Sequence, residues 1–182
     1  MPCPPAYGSG DGRSALAARP YSGPVHADIR LEDPASELAQ SLLQAYFADR
    51  AITFVGGAYT PKPADPATLR APEGAFLVAW DGDEAIGCGA LRRLSPSRFE
   101  VKHLYVAPAG RGRGTGAALL EALEARAVEL GASEVVLDTN AALGPANRLY
   151  ATRGYESIPA YNDNPNATTW FRKPVSSADS AG

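Results

Sequence analysis

Cysteine is scarce in this chain, and its two residues, Cys3 and Cys88, stand far apart. They show neither metal-ligand spacing nor a disulfide framework, so no metal is expected, and Cys88, in an expected strand, reads as a small buried side chain. Long apolar runs are missing too. None approaches the ~18 residues that a membrane span needs, and no membrane partner is expected. The N-terminus lacks a charged segment followed by an apolar one, the mark of a signal peptide, so a cytoplasmic location is the plain inference. Positive charge is not in excess: 17 Lys and Arg face 20 Asp and Glu, for a net charge of −3. Beyond Arg92-Arg93 and the pair Arg111/Arg113 there is no basic stripe, which disfavours a nucleic-acid partner. What is present is ordinary: 182 residues, 45% hydrophobic and 20% charged, fit one soluble domain with a normal core.

Residues 1–24 are rich in Pro, Gly, Ser and Ala and read as a flexible tail, with residues 25–175 as the single domain and 176–182 as a second loose tail. His26–Leu31 reads as a first strand. Asp33 or Ser36 caps a helix whose apolar stripe is Leu38, Leu42, Leu43, Tyr46 and Phe47. Residues 56–74 carry two adjacent glycines and prolines at 61, 63, 66 and 72, and this connection is expected to be functional or mobile rather than core. A hairpin is expected from 75–80 and 85–91, then a strand over 99–106. A helix carries Leu119, Leu120, Leu123, Ala127 and Leu130 on one face and stops at Gly131. A strand over 134–138, a helix over 144–153 and strands over 155–161 and 168–172 complete the order.

The segment Val106–Gly116 joins a strand end to that leucine-rich helix through four glycines at 110, 112, 114 and 116. Such a loop lets the backbone approach a ligand closely, and the helix start offers free N–H groups and a positive dipole end. Arg111 and Arg113 add positive charge, so a phosphate or pyrophosphate is the expected occupant. Two readings compete. Gly112-x-Gly114-x-x-Ala117, with Asp138 lying 21 residues further on, fits a dinucleotide fingerprint. Against it, Pro108 and Gly110 separate strand from loop, and only about 70 residues follow Gly112, too few for a full dinucleotide domain at ~30 residues per βαβ unit.

The second reading is a specific resemblance. Glu100–Leu120 resembles the acetyl-CoA motif of the GCN5-related N-acetyltransferase (GNAT) family, with Arg111, Gly114 and Gly116 meeting its Arg/Gln-x-x-Gly-x-Gly/Ala core. A second block, Ala146-Asn-Arg-Leu-Tyr150 followed by Arg153-Gly-Tyr155, resembles the same family's Ala-x-x-Leu-Tyr-x-x-x-Gly-Phe/Tyr signature. The resemblance implies a mixed α/β (α+β) fold, a twisted, mostly antiparallel sheet flanked by helices. It also implies acetyl-CoA as co-substrate, a small-molecule, amino-acid or peptide amine as acceptor, and allows a homodimer. The diphosphate would rest on the amides of Arg111, Gly112, Arg113, Gly114, Thr115 and Gly116. Backbone groups of Leu104, Tyr105 and Val106 would pair with the pantetheine arm. The asparagine often found three residues before the alanine of the second block is Leu143 here, and Asn140 or Asn147 is the candidate to replace it.

Acetyl transfer needs a neutral amine, and an amine of pKa ~10.4 is only about 0.04% neutral at pH 7, a cost near 4–5 kcal/mol. Glu100 resembles the strand carboxylate some members use as a base, and otherwise reads as a surface glutamate paired with Lys102. Strand alternation puts it on a face with Lys102 and Leu104, opposite His103 and Tyr105. His103 is a further candidate base. Tyr150 resembles the family's tyrosine that protonates the departing thiolate. A loop that binds without chemistry would instead make an acyl-CoA or nucleotide sensor, and another acyl-CoA a different acyltransferase; Glu100 and Tyr150 favour the acetyl-transferring enzyme.

Overall fold

The computed structural model describes residues 27–55 and 57–176. The expected tail at 1–24, all but Ser176 of the expected tail at 176–182, His26 and Cys3 lie outside the described residues. A seven-stranded sheet runs in the order β1-β2-β3-β4-β5-β7-β6. Its strands are β1 (Asp28–Leu31), β2 (Gly74–Asp81), β3 (Glu84–Ser95), β4 (Arg98–Val106), β5 (Glu134–Thr139), β6 (Glu156–Ile158) and β7 (Thr169–Pro174). Every pairing is antiparallel except β4 with β5, which are parallel and joined by α2 (Thr115–Glu129). A parallel pair needs such a crossover. One parallel pair in an otherwise antiparallel sheet is the twisted α+β arrangement the resemblance implies, and it excludes a doubly wound dinucleotide domain.

Both faces of the sheet are covered, and β2 shows how. Ala75, Leu77 and Ala79 join the core under α2, while Phe76 and Val78 join the core under α1 (Glu37–Thr53). Period-two alternation thus becomes two hydrophobic layers. Helix α1 begins where Ser36 accepts from the Ala39 amide at 3.1 Å, which selects Ser36 over Asp33 as cap. Leu42 and Leu43 face the sheet as the stripe predicts, with Ala39 beside them.

The 56–74 connection is less detached than its prolines suggest. A single helical turn, Pro66–Leu69, is capped by Asp65 and drives Leu69 into the α1-side core. The penultimate strand is also shorter than expected, ending at Ile158, so residues 159–168 form a loop. Helix α3 (Gly144–Thr152) precedes it and brings Tyr150 against Tyr155 and Phe171. Leu123 of α2 is fully buried in the larger core and faces the sheet opposite Gly89. Leu123→Ala should cost about 2–5 kcal/mol through lost contact and cavity. Urea unfolding checks it, with a lower midpoint at unchanged slope as the expected result.

Candidate active site

The glycine loop forms a corner whose backbone amides suit an anion. After β4 a short turn, Pro108–Gly110, leads into the loop, and Gly112 and Gly114 hold φ of +73° and +83°. An L-residue pays roughly 1–2 kcal/mol in that region, so glycine is favoured there. The first i→i−4 bond of α2 runs from the Ala118 amide to the Gly114 carbonyl at 3.0 Å. The amides of Thr115, Gly116 and Ala117 therefore stand ahead of the helical ladder, free for an anion. The buried Thr115 hydroxyl donates to the Gly110 carbonyl at 3.0 Å and braces the loop.

The two arginines differ from expectation. Arg111 pairs with Asp49 at 2.7 Å and Arg113 with Asp81 at 2.9 Å. Each guanidinium is matched by a carboxylate from another element. The pull on an anion at this corner thus comes chiefly from main-chain amides and the helix dipole.

From this corner a cleft opens between two strands. Strands β4 and β5 pair only from Arg98↔Glu134 to Glu100↔Val136, although β4 continues to Val106 and β5 to Thr139. Beyond Glu100 they part, while β4 stays paired to β3 as far as Val106. The β5-facing backbone of Val101–Val106 is left without a strand partner. Within this stretch His103 has φ +53°, opposite a register shift between Cys88 and Ala90. This bulge overturns the simple alternation. Leu104 and Val106 join Phe99 and Val101 on the α2 side, whereas His103 and Tyr105 pack toward α1. Leu104 is thus parted from Glu100 and Lys102 by one extra residue.

Where the strands diverge, α1, α3, the connection at Phe54, Tyr59 and Lys62, and the loop at 164–167 enclose a cavity lined by Tyr46, Arg50, Tyr59, Asp138, Asn140 and Tyr150 among others. Burial pushes the Tyr150 hydroxyl up to about 12, so it keeps its proton at neutral pH. Asp138, at the end of β5, accepts from Asn162 at 2.6 Å and from Asn164 at 3.2 Å. Glu100 does not line this cavity. It is fully buried rather than a surface glutamate, and Arg92 (2.5 Å), Tyr161 (2.9 Å), Lys102 (3.3 Å) and Asn162 (3.4 Å) all point at its carboxylate.

The remaining expected residues divide. Leu104 lines the cavity, while Tyr105 and Val106 continue the open edge toward the glycine loop. Asn140 lines it and accepts from the Ala142 amide at 2.9 Å. Asn147 donates to the Leu143 and Asn140 carbonyls at 2.8 and 3.0 Å, tying down the loop before α3. Sequence reasoning missed Arg50, Tyr59, Lys62 and, as a residue of this cavity, Asp138. An acid at the C-terminal end of a strand was the available signal for Asp138.

Burial pushes the Cys88 thiol up to about 12, leaving it protonated. His103 packs edge-on against Tyr46 and Phe47 at 5.2 and 5.3 Å, and both its ring nitrogens are buried without a hydrogen-bond partner. Burial first, then Lys102 and Arg92, push its pKa down to about 3. A base so weak is poorly matched to neutral pH. The unfolded chain binds this proton near pH 6.5 and the folded chain does not. The contribution of His103 to stability is therefore complete above pH 6.5 and lost as pH falls from there toward 3. Between pH 7 and 5 the protein should lose up to about 1.4 kcal/mol per pH unit more than a His103→Leu variant does. Parallel urea-midpoint curves for the two proteins would contradict this.

Comparison with known proteins agrees with this geometry. The uncharacterized N-acetyltransferase YsnE of Bacillus subtilis is 32% identical over 110 residues, 58% of this chain and 73% of that protein. The IAA acetyltransferase of Azospirillum brasilense is 35% identical over 92 residues, half of this chain and 60% of its own length. The crystal structure of a putative acyl-CoA N-acyltransferase from Klebsiella pneumoniae superposes with a TM-score of 0.67 at 27% identity, covering 82% of this chain and 98% of that one. The fold is also that of yncA from Salmonella typhimurium, solved with acetyl-CoA, at a TM-score of 0.60 and 17% identity over 82% and 94% of the two chains. Residues 36–155 match the acetyltransferase (GNAT) family from the cap of α1 through the glycine loop to Tyr155, and the chain belongs to that family.

Proposed function

We propose that this protein is an acetyl-CoA-dependent N-acetyltransferase that acetylates a primary amine by direct transfer. One observation carries the reading: the open edge of β4 runs from the glycine-loop corner to a cavity walled by Tyr150 and Asp138. The residues fit coenzyme A. The amides of Arg111 to Gly116 would hold the diphosphate, and the backbone of Leu104, Tyr105 and Val106 would pair with the amide-bearing arm, with Asn140 near its end. Bound there, acetyl-CoA supplies a thioester whose acetyl carbon bonds to the amine nitrogen as the C–S bond breaks.

Tyr150, protonated and buried at the cavity wall, would give its proton to the departing sulfur. Asp138 would take the proton from the amine, directly or through water, because it is the carboxylate facing the cavity. Glu100, engaged by four donors, would act as a positioning residue through Asn162, which also holds Asp138. Holding amine and thioester together would contribute most of the acceleration, roughly 7–11 kcal/mol.

Tyr150→Phe should lower turnover about 10²-fold at saturating donor, since a thiol of pKa ~8.5 leaves at modest cost unaided. Turnover equal to the wild type's would remove Tyr150 from the step. Asp138→Asn should lower turnover of amines by about 10² or more. Titration calorimetry with coenzyme A tests the donor site: uptake without thiol release on any amine would favour a sensor.

A further inference from the structure

Resting on the amine-acetylating reading, we propose that the acceptor is a free amino-acid-like amine, carrying a carboxylate next to its ammonium and an apolar or aromatic side chain. The cavity presents opposite charges to one space. Asp138 lies on its β5 wall, and Arg50 and Lys62 lie on the walls made by α1 and the following connection. Tyr46, Tyr59 and Tyr150 line the same cavity as Arg50 and Asp138, so the two opposite charges share one space.

The cations are incompletely matched. Arg50 reaches Asp49 through Nη2 at 2.6 Å, while its buried Nε has no hydrogen-bond partner. Among the described residues Lys62 has no carboxylate at ion-pair distance. Lys102 also borders the cavity, but Glu100 compensates it at 3.3 Å. The positive charge with no carboxylate of its own is therefore that of Lys62, while Arg50 shares Asp49 with Arg111, and both line the same cavity as Asp138. A zwitterion answers both signs. A decarboxylated amine, an amino amide or a peptide N-terminus offers the ammonium alone and leaves the cations unanswered. Phe54 and Tyr59, with ring centroids 5.7 Å apart, form an aromatic wall beside these charges for the side chain.

Thiol release from acetyl-CoA, measured with phenylalanine and methionine against phenethylamine, phenylalanine amide and a phenylalanyl dipeptide, tests this. The free amino acids should have kcat/KM at least about 10-fold higher, in line with a site built to pair a substrate group. Lys62→Met and Arg50→Met should each pull that ratio toward one, with coenzyme A uptake by calorimetry showing that each variant is folded. If Arg50→Met does not fold, Lys62→Met, on the exposed connection, carries the test alone. Amines or peptides used as well as free amino acids overturn the inference and leave the enzyme reading standing. An amino-acid preference that survives in a folded Lys62 or Arg50 variant overturns the inference likewise. Thiol release with none of the panel, despite coenzyme A uptake, overturns both.

Discussion

The functional region depends on the buried carboxylate of Glu100. It occupies the last residue at which β4 and β5 still pair, and its side chain is wholly removed from solvent. A carboxylate in that position is costly unless charged and hydrogen-bonding partners surround it. Arg92 of β3 and Lys102 of β4 supply charge, while Tyr161 and Asn162 reach in from the loop between β6 and β7. The carboxylate thereby fastens that loop across the point where the strands diverge. Burial first, then the charge of Glu100, pushes the Tyr161 hydroxyl far up, so it remains a donor to this carboxylate. Asn162 continues the chain of contacts, donating to Asp138 at 2.6 Å and accepting from the Trp170 indole at 2.9 Å. The branch point and the cavity are thus one polar network.

The bulge at His103 sets what faces that network. A regular strand would have turned Leu104 toward α1 and His103 toward α2. The extra residue instead gives α2 the apolar pair Leu104 and Val106, and leaves His103 between Tyr46 and Phe47. An unpartnered imidazole there is a stability cost, and being neutral it places no further charge beside Tyr46 and Phe47.

Much of this was legible from residue pattern because it rests on local chemistry. Glycines at 112 and 114 are favoured by positive φ, and the leucine spacing of α2 follows from burying one face. The hairpin of β2 and β3, the order of elements and the family all followed from such local signals. What was not legible depends on long-range pairing. The alternation of β4 gave no sign of a bulge, because the register shift is imposed by β3. Glu100 pairs with Lys102 as expected, but its burial was not legible because Tyr161 and Asn162, which cover it, are 61 and 62 residues away. Leu69 among prolines could not announce its place in the core. Arg111 and Arg113 looked free because Asp49 and Asp81 lie 62 and 32 residues away.

Asp49 shows how donor and acceptor regions are joined. One carboxylate oxygen accepts from Arg111 of the glycine loop at 2.7 Å and the other from Arg50 of the cavity wall at 2.6 Å. Burial alone would raise its pKa, but the two guanidiniums outweigh that and hold it below the usual range. The glycine-loop corner presents chiefly backbone amides, groups every sequence shares, whereas the cavity presents side chains of particular charge and shape. A single carboxylate on α1 thus holds both guanidiniums through different oxygens, so one shared ion-pair partner fixes the glycine loop and the cavity wall relative to each other.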